Sequence, residues 1–227
     1  LGNAAEASNI LQKIIAAIPN HLPTRIKLIE AHIGLAHEKR EEGSKAGYQI
    51  ILENALRVAV DGFNYPTKSV WLFRFVGRIL TLFLKDNMEC NADLLVKLLD
   101  ALKKFAQDSD SKFLDDYHSS FTSFPLFKCC VISLIVSCRQ AHEFADLQAL
   151  CLYDLALCTY YGYMRQEENI LILRKAIQII RICIDILPDS DLFWNAAGVF
   201  LQSVDLARSQ HCFIKATYLS NSVRLAY

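Results

Sequence analysis

The chain has 227 residues, with 24 Lys and Arg balanced by 24 Asp and Glu, so its formal net charge is zero. That length suits one large domain or two small ones, and the balance offers no overall basic field for nucleic acid or an anionic membrane. Hydrophobic residues at 53% exclude a disordered tail, while 8 Gly and 5 Pro are too few for a turn-rich all-β domain. The expectation is an all-α fold of long helices.

The elements follow in chain order. Ala7, Ile10, Leu11, Ile14, Ile15 and Ile18 mark one helix face, and Pro19 ends it. Leu22 to Arg40 reads as the next helix and Lys45 to Val60 as its partner, across a loop of Glu41, Glu42, Gly43 and Ser44. Asp61, Gly62, Asn64 and Pro66 make a second turn. Ser69 to Leu84 follows, with Phe73, Val76, Gly77 and Leu80 at spacings 0, 3, 4 and 7. Leu152, Leu155, Ala156 and Thr159 copy that figure, and Trp194, Ala197, Gly198 and Leu201 copy it again, always with a small residue in the third slot. A small side chain there lets a neighbouring backbone approach closely. A second helix type alternates with the first: Ala176, Ile179, Ile180, Cys183, Ile184 and Leu187 repeat the Ala7 face, and Pro188 stands where Pro19 stood.

Between Leu84 and the helix around Leu152, strict alternation requires an odd number of helices, yet two are evident, Ala92 to Gln107 and Leu126 to Arg139. One is an insertion, or a third short helix lies in the Asp- and Ser-rich stretch Asp108 to Ser123. The assignment puts Leu126 to Arg139 in the array and Ala92 to Gln107 in an insertion spanning 90–125.

Eight cysteines without paired spacing, set in apolar runs such as Phe127 to Cys138, read as reduced, buried thiols of an intracellular protein. Uncharged stretches such as Cys129 to Cys138 and Leu155 to Met164 fall short of the ~17 to 25 residues that cross a bilayer. Leu1 is not an initiator methionine, and no signal-peptide pattern follows it, so the chain is expected to be trimmed.

No nucleotide-binding glycine loop, nucleophile elbow or HExxH occurs, which argues against an enzyme, a cofactor or a small-molecule substrate. Cys138 and His142, with Cys151 and Cys158 further on, are the nearest approach to a metal set, but without any CxxC they read as packed core. Cys129 and Cys130 point to different sides of a helix. His211 beside Cys212 lacks an orienting carboxylate and reads as a surface or groove histidine. Tyr160, Tyr161 and Tyr163 read as packing between units rather than as base-stacking platforms. Arg174, Gln178 and Arg181 form a solvated stripe, and Lys103 and Lys104 precede the acidic Asp108, Asp110, Asp115 and Asp116. A carboxylate clamp does not fit: the pattern yields only Arg25 and Lys27 on one helix and a distant Asn195, with no continuous basic groove.

The two alternating patterns resemble the tetratricopeptide repeat. The last unit carries the resemblance most clearly, with Trp194, Ala197, Gly198 and Leu201 on its first helix, Ser209, Phe213 and Ala216 on its second, and Asn221 at the proline position. A following unit would open at Arg224 and Tyr227, and Ala7, Leu11, Ile14 and Pro19 form a second helix whose first is missing, so residues 1–227 are expected to be a slice of a longer right-handed α-solenoid of about five to six units. The segment Leu192 to Ala216, above all Gln210 to Lys215, is similar to the tetratricopeptide scaffold subunits of superkiller complexes, and the likeness is diffuse between about Glu89 and Ala149. It implies a non-catalytic scaffold, cytoplasmic with the nucleus as a second location. Its partners would be an RNA helicase and WD-repeat subunits, with RNA engaged indirectly and no membrane, in a complex that delivers mRNA to the exosome for 3′-to-5′ decay. The rival readings are an RNA-binding α-solenoid and a peptide-binding co-chaperone-type domain.

Overall fold

A computed structural model describes residues 4–65, 69–107, 113, 123–166 and 169–225. Within them the chain is all-α, with ten helices and no strand: α1 (Ala4–Ala17), α2 (Leu22–Glu41), α3 (Lys45–Gly62), α4 (Val70–Lys85), α5 (Ala92–Lys103), α6 (Phe124–Gln140), α7 (Ala145–Arg165), α8 (Ile170–Ile186), α9 (Asp191–Leu201) and α10 (Leu206–Leu225). Pro66, Tyr227 and the stretch 108–122 except Phe113 lie outside the described residues.

The helix ends follow from local chemistry. Pro23 and Pro125 sit in the first turns of α2 and α6, where a missing N–H costs nothing. Asn91 caps α5 by accepting from Leu94 N at 3.0 Å, and Asn169 caps α8 by accepting from Leu171 N at 3.1 Å. Gly43 closes the α2–α3 loop at φ 78°, a left-handed conformation that a side chain would strain. α5 stops at Lys103, short of the expected Gln107, because the chain turns there with Phe105 N bonded to Leu102 O.

The helices pack as hairpins: α2 with α3, α4 with α6, α7 with α8, and α9 with α10. The partners run antiparallel. Along α4 and α6, Phe73 O accepts from Ser133 and Gly77 O from Cys130; along α9 and α10, Gly198 O accepts from Ser209. α5 packs on α6 and α3, so the partner of α4 is the more distant α6. Successive first helices run parallel to one another. Arg74 near the start of α4 meets Asp154 in the first half of α7, while Arg165 at the end of α7 donates to Phe83 O and Leu84 O at the end of α4. Arg40 at the end of α2 likewise meets Asp86, just past α4.

The core is continuous from α2 to α10. Phe73, Val76, Leu80, Leu155, Ala156, Ala176, Ile180, Cys183, Ala197 and Ala216 are buried, as is Gly77. Side chains already on Gly77 and Gly198 would collide with neighbours: a Cβ on Gly77 would meet Leu134 Cγ, and one on Gly198 would stand 2.6 Å from Phe213 Cε1. Gly162 holds the same relation to Phe127, across α7 and α6, at 2.7 Å.

Two places depart from the sequence pattern. On α1, Ala7, Ile10 and Ile14 face solvent, whereas Ala4, Ser8, Leu11 and Ile15 lie on the covered side. Among the described residues α2 is the helix packed on α1, and the isoleucine stripe is wider than that one neighbour covers. On α9, Phe193 and Phe200 are the fully buried aromatics, while Trp194 is half-buried and donates its indole N–H to Pro188 O at 2.7 Å. Leu201 and Phe213 are also half-buried, and Pro19 and Pro188 are exposed at their helix ends.

Candidate partner-binding groove

The parallel row of α2, α4 and α7 leaves a cleft of about 360 Å³ along its open side. Its centre is α4, on which Arg74, Arg78 and Lys85 share one helical face at i, i+4 and i+11. Ile33 and His37 line it from α2; Leu150, Tyr153, Asp154, Leu157 and Tyr161 line it from α7, and Leu192 reaches in from α9. A second cleft of about 670 Å³ shares Lys85 and Tyr161 and extends past the ends of α4 and α7 to Asn87, Met164 and Arg165. The two clefts adjoin at Lys85 and Tyr161.

The three cations differ in state. Arg74 is buried and donates from Nε to Asp154 Oδ2 at 2.7 Å, with Asp154 itself 5% exposed. Burial raises the Asp154 carboxyl above its usual range, and Arg74 and Arg78 pull it back. Arg78 is half-buried with its guanidinium 5.8 Å from the Phe75 ring, Lys85 is exposed, and neither has an ion-pair partner among the described residues. Their field is felt at His37, whose pKa is lowered first by burial and then by Arg40, Arg78 and Lys85, with Glu41 opposing. Arg40 is engaged with Asp86 at 2.7 Å, and Asp86 also accepts from Tyr48 Oη at 2.9 Å.

The residues singled out by chemistry in the sequence are distributed elsewhere. Cys129 and Cys130 do face different helices: Cys129 lies 3.7 Å from Leu95 O of α5, and Cys130 donates to Gly77 O of α4 at 3.2 Å. Burial pushes the Cys129 thiol up to about 12 and the Cys138 thiol well above its usual value. His142 is exposed and bonds Arg139 O, and no group of three or more metal-ligating side chains forms among the described residues. His211 is exposed against the edge of Trp194 at 6.2 Å, with Cys212 buried beside it. Tyr160 stacks on Phe200 at 4.5 Å and 18°, and Tyr163 is buried. Arg174, Gln178 and Arg181 are exposed.

Arg25 and Lys27 on α2 do not line a basic groove. Arg25 is buried, bonded to Pro19 O and Tyr65 Oη, and Lys27 pairs with Glu30. The available cations are on α4. Their spacing was visible in the sequence, but they sit in the apolar run Val70–Lys85, and the partner that removes Arg74 from the count lies on another helix pair.

No family model matches the chain, and no curated protein matches it. One solved structure similar to it, described as "MamA RS-1 ArsTM double mutant", is 15% identical with a TM-score of 0.39, over 87% of this chain and 96% of that one. The fold description therefore rests on the helix pairing itself.

Proposed function

We propose that this chain is a non-catalytic protein-interaction scaffold, a slice of a tetratricopeptide-type right-handed solenoid in which residues 90–125 are inserted. The single observation that carries this reading is the disposition of the first helices: α2, α4 and α7 run parallel, each backed by its antiparallel partner, and leave an open groove beside them. Small residues at matching places, Gly77, Ala156 and Gly198, support the repeat register. The burial of Cys129, Cys130 and Cys212 and the stacking of Tyr160 on Phe200 support it further. A stack whose units touch only their neighbours presents extended surface without needing an enclosed pocket.

The sequence likeness at Leu192 to Ala216 supports a finer reading: a scaffold of the superkiller type, holding an RNA helicase and WD-repeat subunits in the cytoplasm for exosome-directed mRNA decay. Mixing the purified chain with purified helicase and WD-repeat subunits of such a complex, followed by size-exclusion chromatography, tests it. Co-elution with either subunit is expected. Separate elution of all three at micromolar concentration would remove the superkiller assignment and leave the scaffold reading to stand on the groove alone. Among the rival readings, the cationic and apolar lining of that groove favours peptide docking over RNA binding.

A further inference from the structure

We propose that the cleft past the ends of α4 and α7 binds a small organic phosphomonoester, its phosphate held by Lys85 and Arg165 and its organic part resting on Tyr161 and Met164. The site goes beyond the scaffold reading and does not depend on it.

Arg165 sets the charge of this cleft. Its guanidinium donates from Nε to Leu84 O at 3.0 Å, from one terminal nitrogen to Phe83 O at 3.2 Å and from the other to Ser123 Oγ at 2.6 Å. None of these partners is charged, and N–H groups are left over on both terminal nitrogens. The end of α4 does not need the charge. Phe83 O already accepts from Met88 N at 3.0 Å and Leu84 O from Asn87 N at 3.4 Å, with Asn87 in the left-handed region at φ 51°. Burial lowers the pKa of Arg165, as it does for a cation held away from water without a counter-charge. The three bonds therefore fix a guanidinium whose charge and remaining donors are unmatched.

The rest of the lining selects the ligand. Lys85, exposed and without an ion-pair partner among the described residues, adds a second positive charge, and no acidic side chain lines the cleft among those residues. Asp86 beside it is held by Arg40 and Tyr48. Two cations match a phosphomonoester, which carries about −1.5 to −2 charges at pH 7, better than a lone carboxylate. They fall short of the several phosphate contacts that hold a polynucleotide. Tyr160 and Tyr161 line the same cleft, and burial raises the pKa of both phenols, so they stay protonated and can donate to phosphate oxygens. Leu84, Val199 and Met164, the last 62% exposed, add apolar surface that a bare phosphate would leave uncovered. The volume of about 670 Å³ falls among clefts that take small ligands, about 300 to 1,000 Å³.

The test is isothermal titration calorimetry of the whole chain with adenosine 5′-monophosphate, glucose 6-phosphate, inorganic phosphate and adenosine. At least one ester is expected to bind, inorganic phosphate more weakly, and adenosine not at all. The tighter of the two esters tells whether the organic part is an aromatic base or a sugar. Lys85→Glu should weaken ester binding about tenfold or more, and its exposed site guards against misfolding. Arg165→Lys keeps the charge but loses the surplus donors, and should also weaken binding about tenfold. Adenosine that binds as tightly as its monophosphate, or esters that do not bind at millimolar concentration, would overturn the phosphate assignment. Ester binding unmoved by both substitutions would overturn the location. Inorganic phosphate that binds as tightly as either ester would overturn the part given to Tyr161 and Met164.

Discussion

The joint between α4 and α6 and the joint between α9 and α10 use the same device in different surroundings. In each, a glycine on the first helix lets the second approach, a polar side chain of the second donates to that glycine's carbonyl, and a large apolar side chain four residues on covers it. The pairs are Cys130 and Leu134 at Gly77, and Ser209 and Phe213 at Gly198. The Gly77 carbonyl accepts a further bond from Thr81 at 2.9 Å. Leu134 is fully buried, because α7 also packs on α4 and α6; Phe213 is half-buried beside a single partner helix, with Ile214 and Tyr218 exposed next to it. The same local device is therefore enclosed by a third helix at α4 and α6, and bordered by one described neighbour at α9 and α10.

The largest effect should fall on the third helix that makes the difference. Asp154→Ala leaves Arg74 buried without its counter-charge, and is expected to destabilise by about 3 to 5 kcal/mol in a urea melt. The paired replacement Arg74→Met with Asp154→Leu should return most of that, since burial already works against the charged carboxylate. A single variant that melts like the parent would mean that α7 does not lock onto α4 through this pair. Next, Gly77→Val should cost about 3 kcal/mol, the upper range for overpacking, because Leu134 has no room to move. Gly198→Val should cost only about 1 kcal/mol, since the Phe213 ring can turn toward solvent. Equal losses at the two glycines would contradict the contrast drawn between the joints.

Of about the same size, Ser209→Ala should cost about 1 kcal/mol through the lost bond to Gly198 O. The mildest effect lies outside both joints and serves as their control. His32 and His37 on α2 both have pKa values lowered from 6.5 by burial, and His32 Nδ1 has no hydrogen-bond partner among the described residues. The unfolded chain therefore takes up these protons more readily than the folded one, so stability is retained above the unfolded value and falls as pH drops through it. Thermal melts from pH 7.5 to 5.5 should show a declining midpoint, and His32→Phe should lessen the decline; an unchanged slope in that variant would show that His32 is not responsible.

Much of this fold was readable from residue spacing, because an apolar face at i, i+3, i+4 and i+7 fixes a helix wherever one neighbour covers it. Phe73, Val76, Gly77 and Leu80 on α4, and Ala176, Ile180 and Cys183 on α8, are such faces, and all are buried. Spacing misled where the number of neighbours changed. α1 carries a stripe of isoleucines wider than its contact with α2, so Ala7 and Ile14 are exposed and Ser8 is buried. On α9 the bulky Trp194 drew attention, although a half-buried indole that needs a partner for its N–H sits at the rim while Phe193 and Phe200 fill the core. The groove was hardest to see. Whether a cation is free depends on carboxylates brought from distant helices: Asp154 removes Arg74 from the surface charge and Asp86 occupies Arg40, which leaves Arg78 and Lys85. No local pattern encodes that subtraction.

Close approach of paired helices at a small residue is tested most directly by a double-mutant cycle at the enclosed joint: Gly77→Val, Leu134→Ala and the two together, with unfolding free energies from urea melts. If Leu134 is the group that the new side chain strikes, truncating it makes room, and the double variant should be more stable than the sum of the single losses predicts by about 1 kcal/mol or more. Strict additivity, within about 0.3 kcal/mol, would mean that the two residues do not meet and that α4 and α6 are not joined in this register.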